Sequence, residues 1–349
     1  MNKIIQIQKS AKKPIVDNND SINLLKRTMR IPVDIATTDT PKVKTGRPMI
    51  RTIVRPANKP MRVRVRFRPK QGTLVSENQV HNFFAASKRY SLICQIGKGG
   101  MSKVFKARDS FLNYDVALKF LPKELTNDNA AIEAFRNEAR TVMQLSHKNI
   151  IKLHNMEIGA GTMFLVMEYI EGRDFSEIMT QMGRLKIESV LQIMHSCAAG
   201  IGYAHSCGVL HKDLKPANLM LSTDSVLKIV DFGIARHMAE DEVDGQHLFL
   251  EGTYPYMSPE QYEGGKLDCR TDIYSLAAVI YEFLAGKPIL PFAGNHEDIL
   301  TASIEPIEGV SDKVWNVISK ALSSNRDARW SSVGEFYTAF EEAVSSAFG

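Results

Sequence analysis

Short segments with alternating apolar and polar residues dominate the chain from Tyr90 to Ile170. Such alternation predicts β-strands, and the segments are 90–97, 103–107, 115–121, 149–158 and 162–170. Between the third and fourth segments, residues 130–145 have apolar residues at helical spacing and predict one helix. After Gly172 the pattern becomes mainly helical, with an amphipathic stripe over 187–206 and a buried helix over 273–286. A strand-rich lobe is therefore predicted to precede a helix-rich lobe.

The first 87 residues show no sustained pattern of this kind. Scattered prolines and many Ser and Thr residues predict an arm that is mostly disordered. The exception is 61–70, where apolar residues alternate with four arginines and predict a strand. Residues 1–80 contain 18 Lys and Arg against 5 Asp and Glu, whereas residues 81–349 contain 26 against 34. Opposite charge on the two regions indicates that they have different roles.

The cysteines and the apolar runs of the sequence bear on where the protein is located and whether it crosses a membrane. The four cysteines have neither metal-ligand nor disulfide spacing, which is typical of reduced thiols in a cytoplasmic protein. The N-terminus lacks the apolar run of a signal peptide. The longest apolar run, 273–286, is interrupted by Glu282 and is too short to span a bilayer. We therefore expect a cytoplasmic protein with no membrane span.

Two features of the strand-rich region suggest phosphate chemistry. Gly97, Gly99 and Gly100 lie between two predicted strands, where glycine lets backbone amides approach a phosphate, although a plain hairpin turn has the same composition. Lys119 lies on the third predicted strand, on the face opposite Val116 and Leu118. It is either an edge lysine that reaches water or the partner of a carboxylate on the predicted helix.

Two further segments carry clustered polar groups. Asp213, Lys215 and Asn218 fall within six residues, and Pro216 among them disfavours both helix and strand. Asp231 directly follows an apolar strand. It is either a turn former or one of the carboxylates that Mg²⁺ combines with phosphate oxygens.

Together, in this order and spacing, the motifs resemble the eukaryotic-like (Hanks-type) protein kinases, and the loop IGKGGMSKV is similar to that of bacterial Ser/Thr kinases. The resemblance covers about residues 90–345. It implies an α+β, two-lobed kinase domain over 88–345, with an antiparallel-sheet N-lobe over 88–168 and a helical C-lobe over 172–345. It also implies transfer of the γ-phosphoryl group of ATP, with Mg²⁺ or Mn²⁺, to Ser and Thr hydroxyls of proteins.

The resemblance assigns the catalytic roles. Asp213 would accept the proton of the substrate hydroxyl, and Lys215 would stabilise charge near the γ-phosphoryl group. Lys119 would bind the α- and β-phosphates and would be held by an ion pair with Glu138. These residue types suit a reaction that needs mainly positioning and charge neutralisation.

The resemblance also assigns the residues around the cofactor and the substrate. Asn218 and Asp231 would hold the metal, and the backbone of Glu168 and Ile170 would bind the adenine edge. The residues that would bind ATP are Ile96, Gly97, Lys98, Gly99, Gly100, Met101, Ser102, Lys103, Val104, Ala117, Lys119, Met167, Glu168, Ile170 and Met220. Four further residues would shape the substrate side or the structure, namely Thr253, Glu260 paired with Arg329, and Asp272 anchoring the catalytic loop.

One departure from the family pattern concerns regulation. Lys212 stands where the family usually has arginine, and lysine cannot form a two-pronged pair with an activation-loop phosphate. Between Asp231 and Ser258 the only Ser or Thr is Thr253, among several acidic residues. We expect activity without a phosphothreonine switch. Lys212 either contacts one of those carboxylates or is simply solvated.

A pseudokinase that only binds ATP is an alternative function for this sequence. It is disfavoured because Lys119, Glu138, Asp213, Asn218 and Asp231 are all present. The basic arm has three candidate partners: the acidic surface of the same chain, an acidic protein, or nucleic acid. No base-reading or RNA-binding motif supports the third, and we favour the first.

Overall fold

The computed structural model describes residues 89–98, 102–121, 129–159, 162–232, 254–290 and 304–348. The arm over 1–87, including the strand predicted over 61–70, lies outside the described residues. Within them, an N-terminal lobe built on a five-stranded sheet precedes a helical C-terminal lobe. The predicted two-lobed α+β fold is confirmed.

The N-lobe sheet is antiparallel throughout and has the strand order β1-β2-β3-β5-β4. Its strands are β1 Tyr90–Lys98, β2 Lys103–Asp109, β3 Tyr114–Phe120, β4 Leu153–Gly159 and β5 Thr162–Glu168. One helix, α1 Asn129–Met143, lies between β3 and β4, close to the predicted range 130–145. It packs Phe135, Ala139 and Val142 into the core that continues into the C-lobe.

The alternation along β3 divides its side chains between two cores. Val116 and Leu118 are buried with Phe105, Phe120 and other residues of the outer N-lobe core. Ala117 is buried in the larger core between sheet and helices. This placement agrees with the faces predicted from sequence and directs Lys119 towards the cleft.

The strand predicted to begin at residue 149 begins later, at Leu153. Residues before it bond to a C-lobe strand instead: the amide of Ile229 donates to Asn149 O at 2.8 Å, and the amide of Ile151 donates to Ile229 O at 2.9 Å. The prediction was wrong at this end because the partner strand lies almost eighty residues further along the chain. Alternation alone does not identify a partner.

The C-lobe contains a small three-stranded sheet and most of the helices. The sheet comprises β6 Gly172–Asp174, β7 Leu219–Ser222 and β8 Leu227–Ile229. The helices are α2 Phe175–Met182, α3 Ile187–Ser206, α4 Pro259–Tyr262, α5 Cys269–Ala285, α6 Asp312–Ala321 and α7 Val333–Phe348. Short 3₁₀ turns lie at Pro216–Asn218, Tyr254–Tyr256 and Arg326–Ala328.

Helix α5 is the centre of the C-lobe and is buried along nearly its whole length, as its apolar sequence predicted. Asp268 caps its first turn by accepting from the amide of Arg270. Gly286 ends it at φ 76°, the left-handed conformation that glycine adopts without strain. Among the described residues, no helix has the length and hydropathy needed to cross a membrane.

Candidate active site

The ammonium group of Lys119 lies at the boundary between the lobes and is paired with Asp231. Its Nζ is 2.7 Å from Asp231 Oδ1. Burial alone would raise the pKa of Asp231, but the charges of Lys119 and Lys215 outweigh it and hold the pKa below its ordinary value. The carboxylate therefore stays ionised at neutral pH. Glu138 lies half-buried on α1, and its ion pair with Lys119 stays a prediction.

The loop between α3 and β7 brings its three polar residues into one contact group. Asp213 Oδ2 lies 3.0 Å from Lys215 Nζ and accepts from Asn218 Nδ2 at 2.9 Å. The same amide nitrogen donates to Asp213 O at 2.7 Å, so the Asn218 amide is oriented by both donor hydrogens. Its carbonyl oxygen is then the atom that can serve as a metal ligand.

A backbone bond joins this loop to the segment that carries Asp231. The amide of Val230 donates to Asn218 O at 2.9 Å, which places Asn218 and Asp231 side by side. This backbone bond therefore joins the Lys119–Asp231 ion pair to the group formed by Asp213, Lys215 and Asn218. Two ammonium groups, two metal-binding oxygens and one carboxylate are the groups that phosphoryl transfer requires.

Asp272 on α5 holds the backbone of the catalytic loop from below. Its two carboxylate oxygens accept from the amides of His211 and Lys212, each at 2.8 Å, and His205 Nε2 lies 2.7 Å from the first oxygen. Asp272 is fully buried. Burial by itself raises the pKa of Asp272, but the hydrogen bonds from His205 and the loop amide lower it below its usual range. The predicted anchoring contact is present.

His211 links the catalytic loop to the strand that leads to Asp231. Its Nδ1 accepts from the amide of Asp213 at 3.2 Å, and its Nε2 lies 3.0 Å from Val230 O. These partners assign a neutral ring protonated at Nε2. Burial lowers the pKa of His211, in agreement with the neutral form. His211 is not among the predicted site residues, although it directly precedes the Lys-Asp pair of the motif.

Two residues of the site have a positive φ angle, in the left-handed region that residues other than glycine rarely adopt. Lys212 has φ 64° and Asp231 has φ 60°. Left-handed conformations of non-glycine residues persist where surrounding contacts fix them, and they concentrate at functional sites. Here the amide of Lys212 is held by Asp272, and its carbonyl accepts from Gln261 Nε2 at 2.8 Å.

The residues predicted to enclose a nucleotide base come from both lobes. Ala117 and Met167 are buried in the main core, and Val104 and Met220 pack against it. Ala117 and Met167 are register partners on β3 and β5. Ile170, at the end of the segment between the lobes, is also buried in this core. Their joint role in enclosing a nucleotide base stays a prediction.

The glycine-rich turn is described on both sides of its tip. β1 and β2 pair up to Lys98 and Lys103, and Gly97 lies opposite Val104. A Cβ added to Gly97 would lie 3.5 Å from Val104 Cβ, an ordinary van der Waals distance, so packing against Val104 does not itself require glycine here. Ile96 is exposed, and Ser102 is half-buried. Gly99, Gly100 and Met101 lie outside the described residues.

A second predicted pair joins Glu260, which lies on α4, to Arg329, and both residues are buried. Nη1 and Nη2 of Arg329 donate to the two oxygens of Glu260, each at 2.8 Å. Thr271 Oγ1 donates to Glu260 Oε1 at 2.9 Å. The two-pronged geometry is the one that arginine forms with carboxylates. Thr253, predicted to lie near Asp213, is outside the described residues, as are the acidic residues between 233 and 253.

A narrow apolar cavity behind Lys119 was not predicted. Side chains of β3, α1, β4 and β5 form it, and Asp231 and Phe232 close it on the C-lobe side. Phe232 is buried and packs against His211 with ring centroids 4.6 Å apart. Lys119 and Asp231 are themselves lining residues, so the cavity adjoins the ion pair.

Comparison with known proteins identifies the family that has this fold and site. The family described as Protein kinase domain matches residues 90–348. The chain belongs to this family, whose members use ATP and a divalent metal ion to phosphorylate proteins. The resemblance stated from the motifs is confirmed at the level of the family.

Individual relatives are bacterial. The chain is 36% identical over 262 residues to serine/threonine-protein kinase PknB of Mycobacterium leprae, covering 71% of this chain and 42% of that protein. It is 35% identical over 230 residues to serine/threonine-protein kinase PrkC of Bacillus subtilis, covering 66% and 35% respectively. The match therefore spans about two fifths of the length of these relatives.

Solved structures agree with the fold. The crystal structure of the Mycobacterium tuberculosis PknI kinase domain superposes with a TM-score of 0.62 at 25% sequence identity. The superposition covers 74% of this chain and 96% of that domain.

Proposed function

We propose that this protein is an active serine/threonine protein kinase that transfers the γ-phosphoryl group of ATP to Ser and Thr hydroxyls of proteins. The observation that carries the proposal is that a backbone bond from Val230 to Asn218 joins the Lys119–Asp231 ion pair to the group of Asp213, Lys215 and Asn218. Curated relatives over the same region are named serine/threonine-protein kinases, which supports the choice of hydroxyl.

Each residue of the proposed site has a separate role in the reaction. Asp213 is the carboxylate that accepts the substrate hydroxyl proton, and Lys215 lies within 3.0 Å of it to offset the charge of the transferring group. Lys119 is the cation for the remaining phosphates. A bound Mg²⁺ or Mn²⁺ would neutralise phosphate charge, and the Asn218 carbonyl and the Asp231 carboxylate are the hard oxygen ligands that such ions prefer.

The direct experiment combines nucleotide binding with transfer. Purified protein should bind ATP with Mg²⁺ in calorimetry and should label itself or a generic basic protein with radioactive phosphate on Ser and Thr. If it binds ATP but labels neither, the chain is a pseudokinase. If it does not bind, the proposed site is wrong.

Activity independent of a phosphorylated activation loop is the second part of the proposal. The backbone of Lys212 is fixed on both sides by Asp272 and Gln261, so the loop geometry does not depend on a phosphate bound at the Lys212 side chain. Treatment with a Ser/Thr phosphatase should leave the initial rate unchanged. Peptide mass spectrometry over 233–257 is the accompanying measurement. A stoichiometric phosphate on Thr253 whose removal abolishes activity would contradict this part.

A third part concerns the basic arm, which we propose docks on the acidic remainder of the same chain. Deletion of residues 1–80 should change the rate at low salt. The two proteins should converge near about 1 M salt, where charges are screened beyond about 3 Å. Replacing the four arginines of 61–70 by glutamine should reproduce the deletion in part. Equal rates at every salt concentration would rule out autoregulation by the arm.

A further inference from the structure

The carboxylate of Glu168, at the end of β5 where the chain leaves the N-lobe, is held from two directions. Both of its oxygens lie 2.9 Å from Lys228 Nζ. The amide of Lys152 donates to Glu168 Oε2 at 3.1 Å, while the amide of Glu168 donates back to Lys152 O at 2.8 Å. The side chain of Glu168 is therefore fixed relative to its own backbone.

Each of these partners belongs to a different part of the fold. Lys228 lies on β8 opposite Met220 in the register of β7, three residues before Asp231. Lys152 connects α1 to β4, and its Nζ lies 3.4 Å from Met143 O and 3.3 Å from Leu145 O. An ammonium group there interacts favourably with the last carbonyls of α1. Glu168 thus lies where three elements meet.

Glu168, Lys228 and Lys152 form a junction between parts of the chain that backbone hydrogen bonds also join. The segment that leads into Lys152 bonds to β8 on both sides of Ile229, through Asn149 O and the amide of Ile151. The helix that carries Glu138, the segment between the lobes and the strand that leads to Asp231 therefore share one set of contacts. Lys228 supplies the charged part of this set and is mostly buried, with 17% of its side chain exposed.

We propose that Lys228 is a positioning residue for nucleotide binding, acting through Glu168. The inference rests on the proposed function and on two roles that the family resemblance implies: the backbone of Glu168 would bind the adenine edge, and Met220 would help to enclose the base. The ion pair sets the position of that backbone relative to Met220 although neither charged group contacts the nucleotide. Loss of the pair therefore weakens ATP binding more than it slows transfer from bound ATP.

The test is Lys228→Met, measured by calorimetry with ATP and Mg²⁺ and by steady-state kinetics. We expect affinity to fall about fivefold, equivalent to roughly 1 kcal/mol for a partly exposed pair. The KM for ATP should rise in parallel and kcat should stay close to wild type. Lys228→Arg should retain most of the affinity. The exchanged pair Lys228→Glu with Glu168→Lys should recover part of the loss.

Arg270→Met is the matched control. Arg270, near the start of α5, pairs with Asp268 at 2.7 Å with similar exposure, 25% and 34% for the two side chains, and also with Asp327 at 2.7 Å. It should lower the melting temperature without changing the KM for ATP. Wild-type protein that binds no ATP would refute the proposed function itself. Wild-type protein that binds ATP while Lys228→Met binds equally well would overturn this inference, as would equal KM changes in the control.

Discussion

Replacing Asp213 by Asn is expected to abolish phosphoryl transfer while ATP binding is retained. The substitution keeps the shape of the side chain and removes the charge that accepts the hydroxyl proton. Asp213 is also the shared partner of Lys215 and Asn218, at 3.0 and 2.9 Å. Removing a general base lowers rates by about 10²–10⁴-fold. Radiolabel transfer and calorimetric ATP binding measured on the same preparation separate the two properties.

Asp224→Asn is the matched control for this experiment. Asp224 is an exposed aspartate in the turn between β7 and β8, so the same change of chemistry there should leave transfer unaffected. A variant at position 213 with near wild-type labelling would show that Asp213 is not the base. Loss of ATP binding together with transfer would show instead that Asp213 supports the fold of the cleft.

Replacing Arg329 by Met should have the largest effect on stability. It would leave the Glu260 carboxylate buried without its two-pronged partner, and Arg329 also donates to Ser323 O and Arg270 O. Breaking a buried ion pair from one side costs about 3–5 kcal/mol, which for a domain of this size lowers the melting temperature by about 10 °C. Denaturant unfolding measures the free energy directly. A loss below about 1 kcal/mol would contradict a structural role for the pair.

A control variant tests whether burial of the ion pair causes the expected loss of stability. Arg326→Met removes a more exposed arginine, 3.7 Å from Asp268, and should cost less than about 1 kcal/mol.

The contribution of the Glu260–Arg329 pair should depend on pH. Burial raises the pKa of Glu260, but the two hydrogen bonds from Arg329 outweigh it and lower the pKa below the ordinary 4.5. The pair therefore contributes fully above pH 4.5 and loses its contribution as the pH falls through the lower folded-state pKa. The difference between wild type and Arg329→Met should shrink in acid.

The sequence predicted those parts of the fold that depend on neighbouring residues. Alternation along β3 gave the correct faces for Ala117 and Val116 because side-chain direction in a strand is a local property. The start of the strand predicted at residue 149 was wrong because Asn149 and Ile151 bond to β8, and distant pairing has no local signature. The long-range pair of Glu260 and Arg329 was predicted only through the resemblance to the family, which rests on the order of the motifs.

Other contacts of the site could not be predicted from local pattern or motif. Glu168 and Lys228 each have the sequence environment of an ordinary solvated charge, and only folding places them 2.9 Å apart. The pairing of Lys119 with Asp231, more than a hundred residues away, is likewise a result of lobe packing. The tautomer of His211 follows from two backbone partners that no spacing reveals.

The backbone of Lys212 is held at both its amide and its carbonyl, in a left-handed conformation, by groups on α4 and α5. Both of these contacts are made by backbone atoms of Lys212, so neither depends on which side chain the residue carries. A substitution at position 212 can therefore change the side chain that is presented there without removing the two hydrogen bonds that position the backbone next to Asp213. The sequence can vary at position 212 while the geometry of the adjacent loop is retained.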